Sequence, residues 1–446
     1  MSRPVIKFRP PRATVIRPWA AVILLTLLVA CGQETPVEDA KPSGPGGVVL
    51  IALDGVRWDH LGFNGAAEPA TPAFDALAAE AARFDLAFAQ SSDANASAAS
   101  LLTGLYPTTH GVVDAEHALP ADVQTLAEAL REGGYATAAF GEVATGLDAP
   151  GLDQGFDTFQ IADAPGEAAV AWIRANAARP FFVVISGWAP PAFDATVVEA
   201  YAGEPPAGFN DRLAAALLES ESAELTPEDE AYLAQAYAAR VAALDERLGA
   251  FMTEFRSMGL DRNSTLVVTA TCGRDLGEHA LFSGGVHATT TRVPLLLRLP
   301  EGRDARAVDE VVELVDVMPT LLELAGTAVP APVQGGSMLA ILDGAGTPPY
   351  IAFGESFAPG HPRFAVLAGY QLVARDDTPS ELYYLLDDAV AVHDVAQAMP
   401  DRVEVLEEYL AAWSKMVSAA SYDPERRTEE LDDATLEQLK SLGYIQ

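Results

Sequence analysis

Apolar positions along this chain fall into two patterns, and their alternation predicts the fold. Residues 48–53 form a continuous apolar run that stops at Asp54. Runs without polar alternation mark strands buried on both faces, as in parallel sheets. Residues 181–185 and 265–269 repeat the pattern. Helical spacing fills the intervals, at 72–82 and 122–132 for example. The strongest helix prediction covers 227–258. Thr226 can cap it, Pro227 suits its first position, Glu228, Asp229 and Glu230 occupy the first turn, and Gly259 follows its end. Leu233, Tyr237, Leu244, Leu248, Phe251 and Phe255 recur at helical spacing, which predicts a core-facing stripe. Strands alternating with helices imply an α/β fold, a large mainly parallel sheet with helices on both faces. Ligands of such sheets bind beyond the carboxyl ends of the strands. Asp54 and the loops after residues 186 and 269 are therefore where chemistry is expected. Beyond residue 345 the texture changes. Short strand-like runs at 350–353, 364–367, 370–374 and 381–385 precede helical segments at 400–417 and 433–442. This predicts a small C-terminal α+β subdomain over 346–446, after a main domain over 48–345.

Composition narrows the function. The 446 residues carry 28 Lys+Arg against 63 Asp+Glu, a net charge of −35, and half of them are hydrophobic. Nucleic-acid binding draws its affinity from Lys and Arg on phosphates, so a nucleic-acid partner is excluded. The same charge argues against peripheral docking on anionic lipid. Two cysteines are too few for a disulfide framework.

The N-terminus accounts for one of them. Arg3, Lys7, Arg9, Arg12 and Arg17 precede an apolar run at 20–30, and Cys31 follows. This is the layout of a secretory signal, with a run too short to span a membrane. Leu28-Val29-Ala30-Cys31 resembles a bacterial lipobox. The resemblance implies cleavage after residue 30 and acylation of Cys31, so the bilayer is an expected partner and the chain an exported lipoprotein. Gly32 after the Cys favours the outer membrane, at its periplasmic face or the cell surface. Pro, Gly, Glu and Ser dominate the stretch up to residue 47, which reads as a flexible tether reaching about 20 Å.

Several segments, taken in order, resemble the sulfatases of the alkaline phosphatase superfamily. Leu53-Asp54-Gly55-Val56-Arg57-Trp58-Asp59-His60-Leu61-Gly62 is similar to their opening strand and loop. Thr71-Pro72, Leu101-Leu102-Thr103-Gly104 with Tyr106-Pro107, and His110-Gly111-Val112 follow. Gly134-Tyr135, Gly155-Phe156-Asp157, Arg292-Val293-Pro294-Leu295, Val315-Asp316-Val317-Met318-Pro319-Thr320 and the terminal Leu442-Gly443-Tyr444 complete the set. The likeness covers 46–446. It implies the alkaline-phosphatase-like fold and the hydrolysis of sulfate or phosphate esters at one or two divalent metals. Hard cations need several oxygen ligands, and the nucleophile needs an activated hydroxyl.

Carried over position by position, that machinery is missing. The family nucleophile falls on Ala94, its proline on Ala96 and its basic residue on Ala98, while Ser97 is kept. A methyl group can neither attack nor ligate. At the second metal segment the Asp and His or Asn positions hold Thr271 and Cys272, between matching flanks that include Gly277-Glu278-His279. A hydroxyl and a thiol replace a carboxylate poorly at a calcium or magnesium site. The D-P-H element reads Ala189-Pro190-Pro191, and the G-K-x-H element is nearest to Gly141-Glu142-Val143-Ala144. Asp54 is the metal ligand that remains, with Arg57 beside it, and the expected pocket is Asp54, Arg57, Ala94, Ser97, Thr271 and Cys272.

Two readings follow. The first is a pseudoenzyme without cofactor that binds a glycan, a sulfated molecule or a protein. The second is an active hydrolase holding calcium or magnesium, with relocated groups. In it Ser91, Ser92 or Ser97 is the nucleophile, His279 assists, and Asp93, Asp275, Glu278 and His279 join Asp54 around the metal. A separate chemistry at Cys272 competes with a buried, inert thiol. His110 reads as structural and Asp316 as the cap of the helix through Pro319. The acidic segment 429–433 reads as a solvated helix start.

Overall fold

The computed structural model describes residues 46–66, 69–142, 145–188, 204–210, 212–213, 225–279 and 284–422. These lie in one compact unit, Pro42–Gln446. The predicted lipobox, tether and helix at 433–442 fall outside the described residues.

The first apolar run forms β1, Gly47–Leu53, whose seven residues are all buried. It is flanked by β5, Phe181–Gly187, and β6, Ser264–Ala270, both parallel to it. Leu53 is level with Gly187 on one side and Ala270 on the other. Three strands thus end together, and the residues after them emerge side by side. The sheet continues with β2 (Ala82–Phe88), β3 (Ala136–Gly141), β4 (Thr158–Ile161), β7 (Leu295–Arg298) and β8 (Arg306–Glu313), in the order β4-β3-β5-β1-β6-β7-β2-β8. It is mainly parallel; β7 runs antiparallel to both its neighbours.

Helices cover the sheet. They include α1 (Pro72–Ala78), α2 (Ala94–Thr103), α3 (Leu126–Glu132), α4 (Pro165–Asn176), α5 (Pro227–Ser257) and α6 (Val317–Ala325). In α5 the Thr226 side chain accepts from the Asp229 N–H, and Asp229 returns the bond to the Thr226 N–H. This is the capping box that fixes a helix start. Two predicted helices prove too long. The helix expected at 72–82 ends at Ala78, because Phe84 and Leu86 enter the sheet in β2. The helix expected at 122–132 starts at Leu126, because Thr125 and Glu128 form a second capping box.

The C-terminal part is an antiparallel sheet of β9 (Ile351–Glu355), β10 (Arg363–Leu367), β11 (Tyr370–Arg375) and β12 (Thr378–Tyr384). Helix α7, Pro400–Ala419, packs on it through Leu406, Leu410 and Trp413. Trp413 stacks on Phe353 at 5.5 Å and meets Tyr106 of the main domain edge-on at 5.2 Å.

A buried carboxyl ties the two sheets. Glu313, the last residue of β8, accepts from Tyr106 Oη (2.9 Å), Phe353 N (2.8 Å) and Gln90 Nε2 (3.3 Å). Asp316 stands at the N-cap position of α6, where the sequence predicts a cap. Its carboxylate instead accepts from Glu313 N and Gly336 N, both at 2.8 Å, and so holds the turn that follows β8. Burial drives the Glu313 pKa well above its usual range and pushes Asp316 up to about 6.

Both carboxyls therefore hold their protons more tightly when folded. The stability they contribute is complete below the unfolded carboxyl pKa of about 4. That of Asp316 is lost as the pH rises through about 6, and that of Glu313 as the pH rises through its own raised pKa. Glu313→Gln keeps a buried acceptor without a charge, so it should flatten the decline. Urea unfolding of both forms between pH 4 and 8 checks this; parallel profiles would refute it.

Candidate functional site

Asp54 emerges where β1 ends, and three groups close on its carboxylate. Arg240, on α5, donates Nη2 to Asp54 Oδ2 at 3.1 Å and to the Asp54 carbonyl at 2.8 Å. Arg274 brings Nη2 to 3.4 Å from the same Oδ2. The Cys272 thiol faces Oδ1 at 3.8 Å. Gly55 makes the arrangement possible. Its φ is +62°, and a Cβ there would lie 2.8 Å from Arg274 Nη2 and 2.9 Å from Arg240 Nη1. A side chain at position 55 would push both guanidinium groups away, besides the cost of the left-handed backbone. Tyr237 completes the setting by donating to the Gly55 carbonyl at 2.9 Å and accepting from Arg57 N at 2.7 Å.

A cavity of about 460 Å³ opens over this group. Asp54, Ser92, Ala94 and Cys272 line it, as do Asp93, Asp114, Arg274 and Asp275. Ser356 and Phe357 come from the C-terminal subdomain. Of the six residues expected at the pocket, Asp54, Ala94 and Cys272 line this cavity.

Three expected pocket residues stand outside this lining. Arg57 is 2 % exposed and fully engaged, with Asp59 at 2.8 Å and Glu278 at 2.5 Å. Ser97 is buried, donating to the Ser91 carbonyl at 2.8 Å and accepting from Ser91 N at 3.1 Å. Thr271 turns its hydroxyl back to the Leu53 carbonyl at 3.2 Å. Each spends its polar group on the backbone or on an ion pair beneath the cavity.

The other candidates have structural work. Asp93 caps α2 by accepting from Asn95 N and Ala96 N; its pKa is raised, chiefly by burial. Ser91 Oγ accepts from Asp93 N at 3.2 Å. His279 Nδ1 meets Asp275 Oδ2 at 2.8 Å and its Nε2 donates to the Ala391 carbonyl at 2.7 Å. Burial opposes the charge on this ring, but the Asp275 carboxylate and the carbonyl outweigh it, so its pKa is raised. His287 stacks on His279 at 3.7 Å and pairs with Glu381 at 3.0 Å. His110 bonds Ser100 Oγ at 3.0 Å and accepts from Val112 N, a structural role as expected. Burial, reinforced by the Asp54 charge, pushes the Cys272 thiol up to about 12. The thiolate that would do chemistry is therefore not formed near neutral pH.

These donors do not fit a divalent metal. Hard cations gather several oxygens, whereas the outer face of Asp54 already meets two guanidinium cations. Among the described residues no three His, Cys, Asp or Glu side chains gather as a metal site would require. Arg240 and Arg274 are not among the site residues that the sequence predicts. One signal for Arg240 was present, a charged residue falling inside the apolar stripe of α5 between Tyr237 and Leu244.

Asp54→Ala removes the carboxylate that Arg240 and Arg274 share and should cost about 3 kcal/mol. Chemical unfolding measures the loss, and a change below about 1 kcal/mol would show that the pair matters little.

Comparison with known proteins agrees with this architecture. The sulfatase family model matches residues 47–327. An ulvan-active sulfatase of Formosa agariphila is 27 % identical over 73 % of this chain and 70 % of its own length. An arylsulfatase of Clostridium perfringens is 22 % identical over 66 % of this chain and 78 % of its own. The crystal structure of a phosphonate monoester hydrolase of Agrobacterium radiobacter superposes with a TM-score of 0.68 at 21 % identity, covering 84 % of this chain and 96 % of that one. The chain belongs to the sulfatase family of the alkaline phosphatase superfamily.

Proposed function

We propose that this protein is a non-hydrolytic sulfatase-fold lipoprotein that has become a binding module. One observation carries the reading. Two guanidinium groups sit on Asp54, the family metal ligand that remains, beneath a methyl group at Ala94. A divalent cation would have to approach against both positive charges. No hydroxyl stands at position 94 to attack sulfur or phosphorus. The relatives' activities, on ulvan or aryl sulfates by their names, do not transfer to a chain with this site.

Ser92 supports the competing reading of an active hydrolase, since it is the predicted substitute that reaches the cavity. The two readings part on simple measurements. A metal bound at a hundredfold excess over its Kd would add roughly 3 kcal/mol of stability. The expected outcome is a melting temperature unmoved by calcium, magnesium, manganese or zinc, with no turnover of nitrophenyl sulfate or phosphate. Turnover that vanishes in Ser92→Ala would overturn the proposal.

Acylated Cys31 is proposed as the anchor, in the outer membrane. Two or more acyl chains hold a protein stably where one is marginal. Cys31→Ser should move the protein from the membrane fraction to the soluble one; an unchanged distribution on fractionation would rule out the lipid anchor.

A further inference from the structure

A groove of about 860 Å³ runs between the two sheets, and it shares no lining residue with the Asp54 cavity. Its walls are largely apolar, with Leu86, Val311, Pro349 and Leu386 among them, and Arg292 and Trp58 also line it. We propose that this groove binds small organic monocarboxylates, with Arg292 as the group that receives the carboxylate.

Arg292 is 4 % exposed. Its Nε and Nη2 donate to the Asp85 carbonyl at 3.1 and 2.7 Å, and its guanidinium lies 3.5 Å over the Trp58 ring. Nη1 has no hydrogen-bond partner, and neither has Trp58 Nε1. Among the described residues no carboxylate pairs with this cation. Burial lowers its pKa to about 10, and the more distant charges of Asp85 and Asp59 do not reverse the effect. A desolvated cation with an unused N–H, stacked on an indole whose N–H is also unused, is matched by a group with acceptor oxygens. The Nε–Nη2 edge is spent on the Asp85 carbonyl, so Nη1 offers the carboxylate one charge-assisted hydrogen bond. The apolar walls fit the hydrocarbon body of such a ligand. Asp85 and the exposed Asp309 and Glu310 also line the groove and repel a second negative charge, so dianions are disfavoured.

Indole N–H resonances of the full chain in detergent provide the test, with the Trp58 signal identified by its loss in Trp58→Phe. Titration with 3-phenylpropionate should give a saturable shift of that signal, whereas 3-phenylpropionamide and phenyl phosphate should give none. Arg292→Gln should abolish the shift. Because Arg292 also holds the Asp85 backbone, Leu386→Glu serves as an independent variant. Leu386 is 58 % exposed on the groove wall, and a charge there should weaken carboxylate binding by about tenfold or more. The proposal fails if 3-phenylpropionate gives no shift up to about 20 mM, if the amide shifts the signal equally, or if Leu386→Glu binds unchanged.

Discussion

The centre of this protein depends on how one negative charge is balanced at the end of a buried strand. Asp54 sits 8 % exposed beyond β1, where an unpaired carboxylate would be costly. Arg240 reaches it from α5 and Arg274 from the loop after β6. The balance therefore links a strand, a long helix and a loop. Tyr237, Gly55 and the Arg57–Asp59–Glu278 cluster are arranged around that link. In a metal-holding site this charge is met by a cation from solution. Here two arginines of the chain stand at that charge.

The frame of this site was legible in the sequence because it rests on burial. Continuous apolar runs placed β1, β5 and β6, and their parallel register brings residues 54, 94 and 272 to one cavity. What stayed hidden were pairings. An apolar stripe shows which face of α5 is buried but not which acid Arg240 meets across 186 residues of sequence. Ser97 and Thr271 looked like pocket residues by position, yet their hydroxyls are used by backbone carbonyls that no spacing rule locates. Arg57 stands near Asp54 in sequence, yet Asp59 and Glu278 draw its side chain beneath the cavity. Alanine-rich segments such as 78–82 suit helix and strand alike, and there tertiary pairing set the boundary.

The second sheet is more than an appendage. Glu313 joins both sheets through Tyr106 and Phe353, and Trp413 of α7 packs against the same two rings. Ser356 and Phe357 reach the Asp54 cavity, and His279 is held by the Ala391 carbonyl. Main domain and C-terminal subdomain therefore share one polar seam, and a change on either side is felt at the cavity.

The space left by Gly55 has a consequence for redesign. A hydroxyl placed at Ala94 would stand in a cavity whose floor is held by two guanidinium groups. Removing either arginine first would strand part of the Asp54 charge, and adding a carboxylate at Thr271 or Cys272 would crowd a second acid into a buried position. Each change taken singly costs stability before it confers any chemistry. Such changes have to be made together, because the missing side chain at position 55 is what leaves room for both arginines.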